Sequence, residues 1–306
     1  MIGFLNIYKP SGMTSNAVVQ KIKKRFGLDK VGHMGTLDPM ACGLLPIAIG
    51  KATRLFDYML QKTKTYTAIF DFGFETDTLD ITGQVVVSDL ADIQVGQKIE
   101  TSQIDFSSSA KSDLVSDEKL TKALSSMIGK QNQIPPKYSA KNIDGARAYD
   151  LARAGVEFEL SPKEIEIYNL ELLEKISDLR YKVRITCSSG TYIRAIGRDL
   201  GEKLGTHATM SYLERSDLGV FNLNNCVMLD DLLAGDLGDY LLSPIDVLKT
   251  FDIIKVDDKV FQNLIDGKFV KWTEILKNSF VIFQDKLLGV AKPRKNQLKL
   301  DTFLKE

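Results

Sequence analysis

The periodicity of hydrophobic and polar positions changes along the chain, and it predicts where helices and strands lie. Near the N-terminus, Val18, Ile22 and Phe26 recur with helical spacing after a short apolar strand. Thr14, Ser15 and Asn16 are all good N-cap residues for the start of this segment, and Gly27, just after it, suits a helix end. This segment is therefore predicted to be a strand, a turn and an amphipathic helix.

Further along, short apolar runs and period-two alternation predict a series of strands separated by helices. We predict strands at "LLPIAIG", "KTYTAIFDFGF", "GQVVVSD", "EIEIYNLELL" and "YKVRITC". Helices are predicted at "KATRLFDYMLQ", "EKLTKALSSMIG" and, after a turn, in "SSGTYIRAIGRDLGEKLG", where Gly205 ends the helix. The strand "GQVVVSD" is expected to pair with the preceding strand after a turn at Thr82 and Gly83.

Three stretches break this pattern. Residues 89–116 are rich in Ser and Asp and have little periodicity, which indicates a surface insertion. Residues 130–160 contain a Pro-Pro pair, tyrosines and several basic residues, and predict a protruding loop that leads into a short helix. After about residue 250, a short helix and small strands predict a compact β-rich module, which is small for independent stability.

The net charge of the 306 residues is zero, but the charge is unevenly distributed. Residues 1–64 carry ten Lys or Arg against three Asp, a net charge of +7. Residues 65–120 carry three Lys against eleven Asp or Glu, a net charge of −8. The basic N-terminal region fits a localised contact with a polyanion, and equally a solvated helix face.

The composition disfavours several classes of protein. Three cysteines without a CxxC spacing and two distant histidines predict reduced thiols and no metal site. No stretch has the length of about 18 to 20 apolar residues that a membrane span needs, and no export signal is evident. We therefore expect a cytoplasmic protein that does not contact membranes.

One short segment, "GHMGTLDP", is the first candidate for chemistry. Asp38 precedes a proline, which disfavours a helical backbone at Asp38. Gly32 and Gly35 allow a tight turn that a ligand can approach closely. Spacing alone favours a structural turn here but leaves a functional carboxylate open.

The longer segment "GHMGTLDPMACGLLPIAIGKAT" resembles the signature of the TruB family, the tRNA pseudouridine-55 synthases. The segments "KPSGMTSN", "KTYTAIFDFGFETDTLDITG", "QIPPKYSAKNIDGARAYDLAR" and "SSGTYIRAIGRDLG" are similar to other family segments, in the family's order. The resemblance implies an α+β fold, with a mixed, largely antiparallel central sheet flanked by helices. It implies a catalytic domain over residues 1–250, with a thumb-like RNA-binding insertion at about 130–160, and a β-rich, PUA-like RNA-binding domain over 251–306.

The same resemblance implies the reaction. These enzymes flip uridine 55 out of the T-loop of tRNA, break its glycosidic bond, rotate the base and rejoin it through C5, without cofactor or metal. Asp38 matches the family's nucleophilic aspartate, and Arg194 matches the arginine that forms a salt bridge with it. Whether the carboxylate attacks C1′, adds to the base or removes a ribose proton to give a glycal stays open.

Further pocket residues follow from the resemblance. Tyr66 matches the tyrosine that stacks on the target base and is a candidate to take the C5 proton, although a strand tyrosine is more often a core residue. Asp77 and Tyr192 match positions that bond each other or the base edge, and Leu213 matches an apolar residue of the pocket. Lys9 matches a lysine expected to reach toward phosphate or the carboxylate.

His33 matches a histidine that acts outside the chemical step. Base flipping has an unstacking cost of a few kcal/mol, and an imidazole can fill the gap that the base leaves. A general acid/base role, or a hydrogen bond within the turn, is the alternative. In the thumb-like segment, Lys137, Lys141, Arg147 and Arg153 are expected to bind RNA phosphates, although both arginines could be ordinary surface charges.

The expected partner is the T-arm stem-loop of tRNA, bound by a monomer that needs no guide RNA. Three alternatives remain. A guide-RNA-dependent relative shares the catalytic segments, but the thumb-like stretch argues against it. A non-catalytic RNA-binding protein is disfavoured because Asp38 is present. A metal-dependent hydrolase would use Asp77 and Asp80, but it lacks a third ligand.

Overall fold

The computed structural model of the chain describes residues 1–59, 63–99, 115–273, 275 and 277–304. The chain forms two compact units. Unit 1 consists of Met1–Gln61 and Leu218–Glu306, and unit 2 consists of Lys62–Asp217. The domain division expected from the sequence, at residue 250, is a different one and stays a prediction.

The first part of unit 1 contains the predicted strand–turn–helix segment. Its elements are β1 (Gly3–Lys9), α1 (Ser15–Phe26), β2 (Val31–His33), β3 (Cys42–Ile49) and α2 (Phe56–Met59). β3 pairs antiparallel with both β1 and β2. The Thr14 hydroxyl accepts a hydrogen bond from the Ala17 N–H, and Gly27 ends α1 with φ 61°, so both predicted helix boundaries are confirmed.

The helix predicted from "KATRLFDYMLQ" differs from the structure. Its first part lies in a 3-10 helix, Gly50–Leu55, and of the described residues that follow, Phe56–Met59 are α-helical. The Thr53 hydroxyl donates to the Gly50 carbonyl at 2.9 Å, which favours a tighter first turn.

Unit 2 is a five-stranded sheet with small hairpins and three helices in the residues that the structure describes. Its elements are β4 (Thr63–Phe72), β5 (Phe74–Thr76), β6 (Val85–Ser88), α3 (Asp117–Ser126), β7 (Gly129–Gln133), β8 (Asn142–Ile143), β9 (Ala146–Arg147), α4 (Ala148–Arg153), β10 (Lys163–Ser177), β11 (Arg180–Ser188), α5 (Ile193–Leu204) and β12 (Ala208–Leu218). The strand order is β12-β4-β11-β10-β7. β10 is antiparallel to β7 and β11, and β11 is antiparallel to β4.

The sequence predicted several strands of unit 2, but not β7, β12 or the two-residue strands β8 and β9. β4, β10 and β11 confirm the predicted strands, and β5 pairs with β6 as expected. β12 and β7 are too polar in sequence to show a strand pattern. Of the Ser- and Asp-rich insertion predicted at 89–116, residues 100–114 lie outside the described residues.

Helix α5 packs closely against its neighbours in unit 2 because two of its glycines face them. A Cβ at Gly197 would lie 2.8 Å from ring carbons of Phe70 on β4. A Cβ at Gly201, one turn later, would lie 2.8 Å from the backbone nitrogen of Ala208. Glycine at both positions therefore fixes the depth of the helix that carries Arg194.

The second part of unit 1 is rich in short elements. They are β13 (Phe221–Asn222), β14 (Val227–Met228), α6 (Leu229–Ala234), α7 (Leu237–Tyr240), α8 (Pro244–Val247), β15 (Ile253–Lys255), α9 (Asp258–Ile265), β16 (Val270–Lys271), β17 (Ser279–Phe283), β18 (Lys286–Ala291), β19 (Gln297–Leu298) and β20 (Thr302–Phe303). β14 pairs parallel with β1. A separate sheet has the order β15-β17-β18-β20, and β16 pairs with β19.

The C-terminal sheet buries both of its faces within unit 1. Val281, Ala291 and Leu298 belong to a core formed by C-terminal residues alone. Phe280 and Val290 belong to another core, which contains Phe4, Leu44 and Leu55. The predicted β-rich C-terminal segment therefore has a core of its own and also packs on the N-terminal strands. The expected α+β class, with largely antiparallel strands flanked by helices, is confirmed.

Candidate functional site

In unit 1, the segment around Asp38 is tied to the start of α1 on both sides. Before it, the Leu37 N–H donates to the Ser15 hydroxyl at 2.9 Å, and the same hydroxyl donates to the Leu37 carbonyl at 3.1 Å. After it, the Pro39 carbonyl accepts from the Gly12 N–H at 2.9 Å. Hydrogen bonds to residues 12–15 therefore fix the backbone that carries the half-buried Asp38.

Lys9 contributes to the same fixation. Its side chain is fully buried, and its ammonium donates to the carbonyls of Met13 at 2.6 Å, Pro10 at 2.9 Å and Pro39 at 3.3 Å. A buried ammonium requires such partners, because burial without them would carry a large desolvation cost. The structure thus places Lys9 beneath the Asp38 segment rather than at its surface.

His33 lies at the end of β2, five residues before Asp38. It pairs with Ile47 on β3, and the next residue, Met34, donates its N–H to the Pro46 carbonyl at 2.8 Å. The imidazole is half-buried. Gly35 follows with φ 75°, a backbone conformation that favours glycine, and it turns the chain toward Asp38.

In unit 2, Arg194 lies in the first turn of α5 and is almost fully buried. Its Nε lies 3.6 Å from an Asp80 carboxylate oxygen. Its other nitrogens donate to the carbonyls of Thr78 at 2.8 Å and Tyr138 at 3.1 Å. These contacts hold the guanidinium in one orientation, because a planar donor group has three acceptors in fixed directions.

Asp80 is itself fixed by the turn in which it lies. Its carboxylate accepts hydrogen bonds from the Thr78 hydroxyl at 2.9 Å, from the Thr82 N–H at 3.0 Å and from the Thr82 hydroxyl. Gly83 is required beside it, since a Cβ there would collide with the side chains of Asp77 and Thr78. The segment "TDTLDITG" is therefore a support for the guanidinium of Arg194.

Asp77 has a different partner from the one that the sequence suggested. Its carboxylate accepts from the Tyr138 hydroxyl at 3.2 Å and from the Gln84 N–H at 2.9 Å. Burial, followed by the charge of Asp77, raises the pKa of Tyr138. Tyr192 instead precedes α5, where its backbone N–H and carbonyl bond the Gln133 amide at 2.9 and 3.1 Å.

Tyr66 and Leu213 are both buried, on β4 and β12 respectively. The side chain of Arg215, fully buried on β12, donates a hydrogen bond to Tyr66. Burial lowers the pKa of Arg215, and the contact with Tyr66 opposes that shift. The structure thus combines an aromatic ring, an aliphatic side chain and a buried guanidinium, which suits a mostly apolar pocket with one charged group.

The short helix predicted after the loop is present, since the β8–β9 hairpin is followed directly by α4. That this segment protrudes stays a prediction. Lys137, Arg147 and Arg153 are exposed. The Arg153 guanidinium lies 5.7 Å from the centre of the Tyr149 ring, and the Lys141 ammonium donates to the Ser161 carbonyl at 2.7 Å. Three of the four predicted phosphate-binding side chains are therefore accessible, and Lys141 is half-buried.

The predicted site residues fall into both units. His33, Asp38 and Lys9 belong to unit 1, while Tyr66, Arg194 and the remaining ones belong to unit 2. The ion pair between Asp38 and Arg194 therefore stays a prediction. Sequence reasoning missed three supporting groups of unit 2, which are Asp80, Tyr138 and Arg215.

The structure shows no sign of a metal centre within the ranges it describes. No group of three or more His, Cys, Asp or Glu side chains in these ranges is arranged to hold an ion. Cys42, Cys187 and Cys226, which all lie in these ranges, are not joined by disulfides. No helix in the described part of the chain is long and apolar enough to cross a membrane.

Solved structures with a similar fold come from an RNA–protein complex and a protein complex. The chain resembles the protein in a structure described as an H/ACA RNP bound to a substrate RNA containing 2′-deoxyuridine, with a TM-score of 0.69 and 20% identity, over 99% of this chain and 85% of that one. A Cbf5-Nop10-Gar1 complex gives a TM-score of 0.67 and 23% identity, over 95% and 78%. At these identities the likeness shows the fold alone.

The sequence comparisons are more specific. Residues 23–104 and 90–193 match the N-terminal domain of the TruB family pseudouridylate synthases, and residues 194–247 match the tRNA pseudouridylate synthase B C-terminal domain. Proteins named tRNA pseudouridine synthase B are 35% identical in Caldanaerobacter subterraneus subsp. tengcongensis, over 96% of both chains, and 36% identical in Clostridium novyi, over 99% of this chain and 100% of the other. The chain belongs to the TruB family, as its sequence motifs indicated.

Proposed function

We propose that this chain isomerises uridine 55 in the T-loop of tRNA to pseudouridine. Family membership and full-length similarity to proteins named tRNA pseudouridine synthase B support this proposal. The structural observation that carries it is the Asp38 turn. The segment that matches the family's catalytic motif is held on both sides by hydrogen bonds to residues 12–15, as a reacting carboxylate requires.

The reaction is an isomerisation and needs no co-reactant. The bond between C1′ of the ribose and N1 of the uracil breaks, the base rotates, and a bond forms between C1′ and C5. The C5 proton leaves, and N1 gains a proton. In this proposal the Asp38 carboxylate is the group that reacts with the nucleotide, and the guanidinium of Arg194 pairs with it and keeps it ionised.

We assign binding of the base to residues of unit 2. Tyr66 stacks on the uracil, and its hydroxyl is our candidate acceptor for the C5 proton. Leu213 excludes water from the base, while Asp77 and Tyr192 contact its polar edge. The buried Arg194–Asp80 pair supports this arrangement, because it fixes the guanidinium before substrate binds.

His33 acts before the chemistry in this proposal. A stacked uridine must leave the loop, at an unstacking cost of a few kcal/mol. The half-buried imidazole of His33, beside the glycine turn, is suited to occupy the vacated space in the RNA stack. This role requires only a flat, partly apolar ring and does not depend on proton transfer.

RNA binding is assigned to three regions. In the thumb-like segment at about 130–160, the exposed Lys137, Arg147 and Arg153, together with Lys141, bind phosphates of the T-arm stem-loop. Residues 251–306 form the PUA-like RNA-binding domain. Lys9 acts indirectly in this proposal, because its ammonium holds the Pro39 carbonyl next to Asp38.

We further propose that the chain works as a monomer in the cytoplasm and without a guide RNA. Guide-RNA-dependent action is the second candidate, because the similar solved structures come from H/ACA complexes. The β8–β9 hairpin and helix α4, which lie between β7 and β10, favour the stand-alone type, since the chain itself can then bind the stem-loop.

The test is a reaction of the purified chain with an unmodified T-arm transcript, in the presence of EDTA and without any other RNA. Digestion to nucleosides and chromatography measure pseudouridine. We expect about one pseudouridine per transcript, and none when the target uridine is replaced by cytidine. Absence of pseudouridine from the uridine transcript, with full conversion once a guide RNA is added, would contradict stand-alone action.

A further inference from the structure

Three cationic side chains lie together in unit 2 next to Tyr66. Lys64 precedes Tyr66 by two residues on β4 and so points to the same face of the sheet. Lys163, at the start of β10, places its ammonium directly over Gly190, where a Cβ would collide with it. Arg215 is fully buried on β12 and contacts both Tyr66 and Lys64 electrostatically.

The surroundings of Lys64 favour an anion. Burial, and then the charges of Arg215 and Lys163, lower the pKa of Lys64 to about 8, while Cys187 opposes the shift. Burial raises the pKa of Cys187 itself to about 11, so that it is a neutral thiol at neutral pH. Two of the groups that act on the ammonium, Arg215 and Lys163, are thus cations.

This arrangement would be costly if the cluster served stability alone. Three like charges repel one another, and two of them are withdrawn from water, so neutral side chains would fill the same space at a lower cost. Lys163 is exposed and Lys64 is half-buried, so the cluster is open to solvent from one side. An anion that enters from this side would be attracted by the three charges together.

We propose that Lys64, with Lys163 and Arg215, binds a backbone phosphate of the RNA strand next to the target uridine. The location decides which anion it is, because the cluster adjoins the tyrosine on which the uracil is proposed to stack. A phosphate there would fix the ribose of the flipped nucleotide. The inference rests on the proposed function and adds a phosphate subsite to it.

The test is the binding of an unmodified T-arm transcript to Lys64→Gln at several salt concentrations. We expect affinity to fall about tenfold, which corresponds to one charge-assisted contact. The slope of log affinity against log salt should become shallower by about 0.7 to 0.9. Lys64→Arg should restore most of the affinity, and Lys122→Gln, which removes an exposed charge on α3, should leave affinity nearly unchanged.

A second measurement uses the wild-type chain and does not depend on the folding of the variants. Transcripts with one neutral methylphosphonate linkage, on either side of the target uridine, identify the phosphate that is bound. One of the two should bind the wild type about tenfold more weakly, yet bind Lys64→Gln as the unmodified transcript does. Equal binding of both modified transcripts and the unmodified RNA by the wild type would overturn the proposal. So would unchanged affinity and salt slope in Lys64→Gln, or a loss of turnover alone.

The two failures are distinguishable. If the wild-type chain forms no pseudouridine in any transcript, the proposed function is wrong. If it does so while Lys64→Gln binds RNA normally, only the phosphate subsite is wrong.

Discussion

Asp71 provides the sharpest prediction about stability. Its carboxylate is fully buried on β4, 3.3 Å from the Arg180 guanidinium. Burial raises the pKa of Asp71 from 3.8 to about 6, against the opposing effect of Arg180. Because the folded state holds this proton more tightly than the unfolded state, the contribution of Asp71 to stability is fully present below pH 3.8 and is lost as pH rises through 6. The full loss is about 3 kcal/mol, at 1.36 kcal/mol for each pKa unit.

The variant Asp71→Asn removes the charge and keeps the shape. Linkage predicts that the unfolding free energy of Asp71→Asn, relative to wild type, increases by about 1.4 kcal/mol between pH 5 and pH 7.5. Urea denaturation at both pH values measures this difference. The control is Glu171→Gln, which breaks an exposed pair with Arg184 and should change the unfolding free energy by less than about 1 kcal/mol. A difference between Asp71→Asn and wild type that stays constant or shrinks with pH would refute the reasoning.

Three further predictions concern the site and its support. His33→Ala should reduce kcat/KM about tenfold on a folded T-arm, and much less on a transcript whose target uridine is unpaired, because only the first must be flipped; equal losses in a pseudouridine-formation assay would exclude the gap-filling role. Gly197→Ala should lower the unfolding free energy by about 1 to 3 kcal/mol in urea, since its methyl group would collide with an aromatic ring on β4; Gly238→Ala, which meets no atom within 4 Å, should not. Asp80→Asn should cost about 3 kcal/mol in the same experiment, as it removes the charge of the buried carboxylate beside the Arg194 guanidinium, and an unchanged denaturation midpoint would contradict this.

The elements that periodicity predicts well are those in which one face is apolar and the other polar. α1 and β4 are examples, and their bounds agree closely with the sequence pattern. The sequence pattern did not predict β12, because its sequence, "ATMSYLERSDL", contains the charged residues Glu214, Arg215 and Asp217, which interrupt the pattern typical of a strand. The buried Arg215 is tolerated there because Tyr66, on the neighbouring strand, accepts a hydrogen bond from it. Such a partner is distant in sequence, so periodicity cannot reveal it.

The candidate site shows the same limit. Local motifs identify Asp38 and Arg194 as candidates, because each stands in a distinctive segment of the family. They do not say which of the two acidic residues in "TDTLDITG" supports the arginine. The family resemblance assigned Asp77 to the pocket. In the structure, Asp80 forms an ion pair with Arg194, and Asp77 accepts a hydrogen bond from the Tyr138 hydroxyl. The choice depends on how the turn at Gly83 orients each side chain, which spacing alone does not determine.

The central claim, that the Asp38 carboxylate carries the chemistry, is tested most directly by tritium release from a T-arm transcript labelled at C5 of uridine. The wild-type chain should release the label from the target position as C5 forms its new bond. Asp38→Asn should bind the transcript with an affinity close to that of the wild type and release no label above the enzyme-free control. Substantial release by Asp38→Asn would contradict the claim.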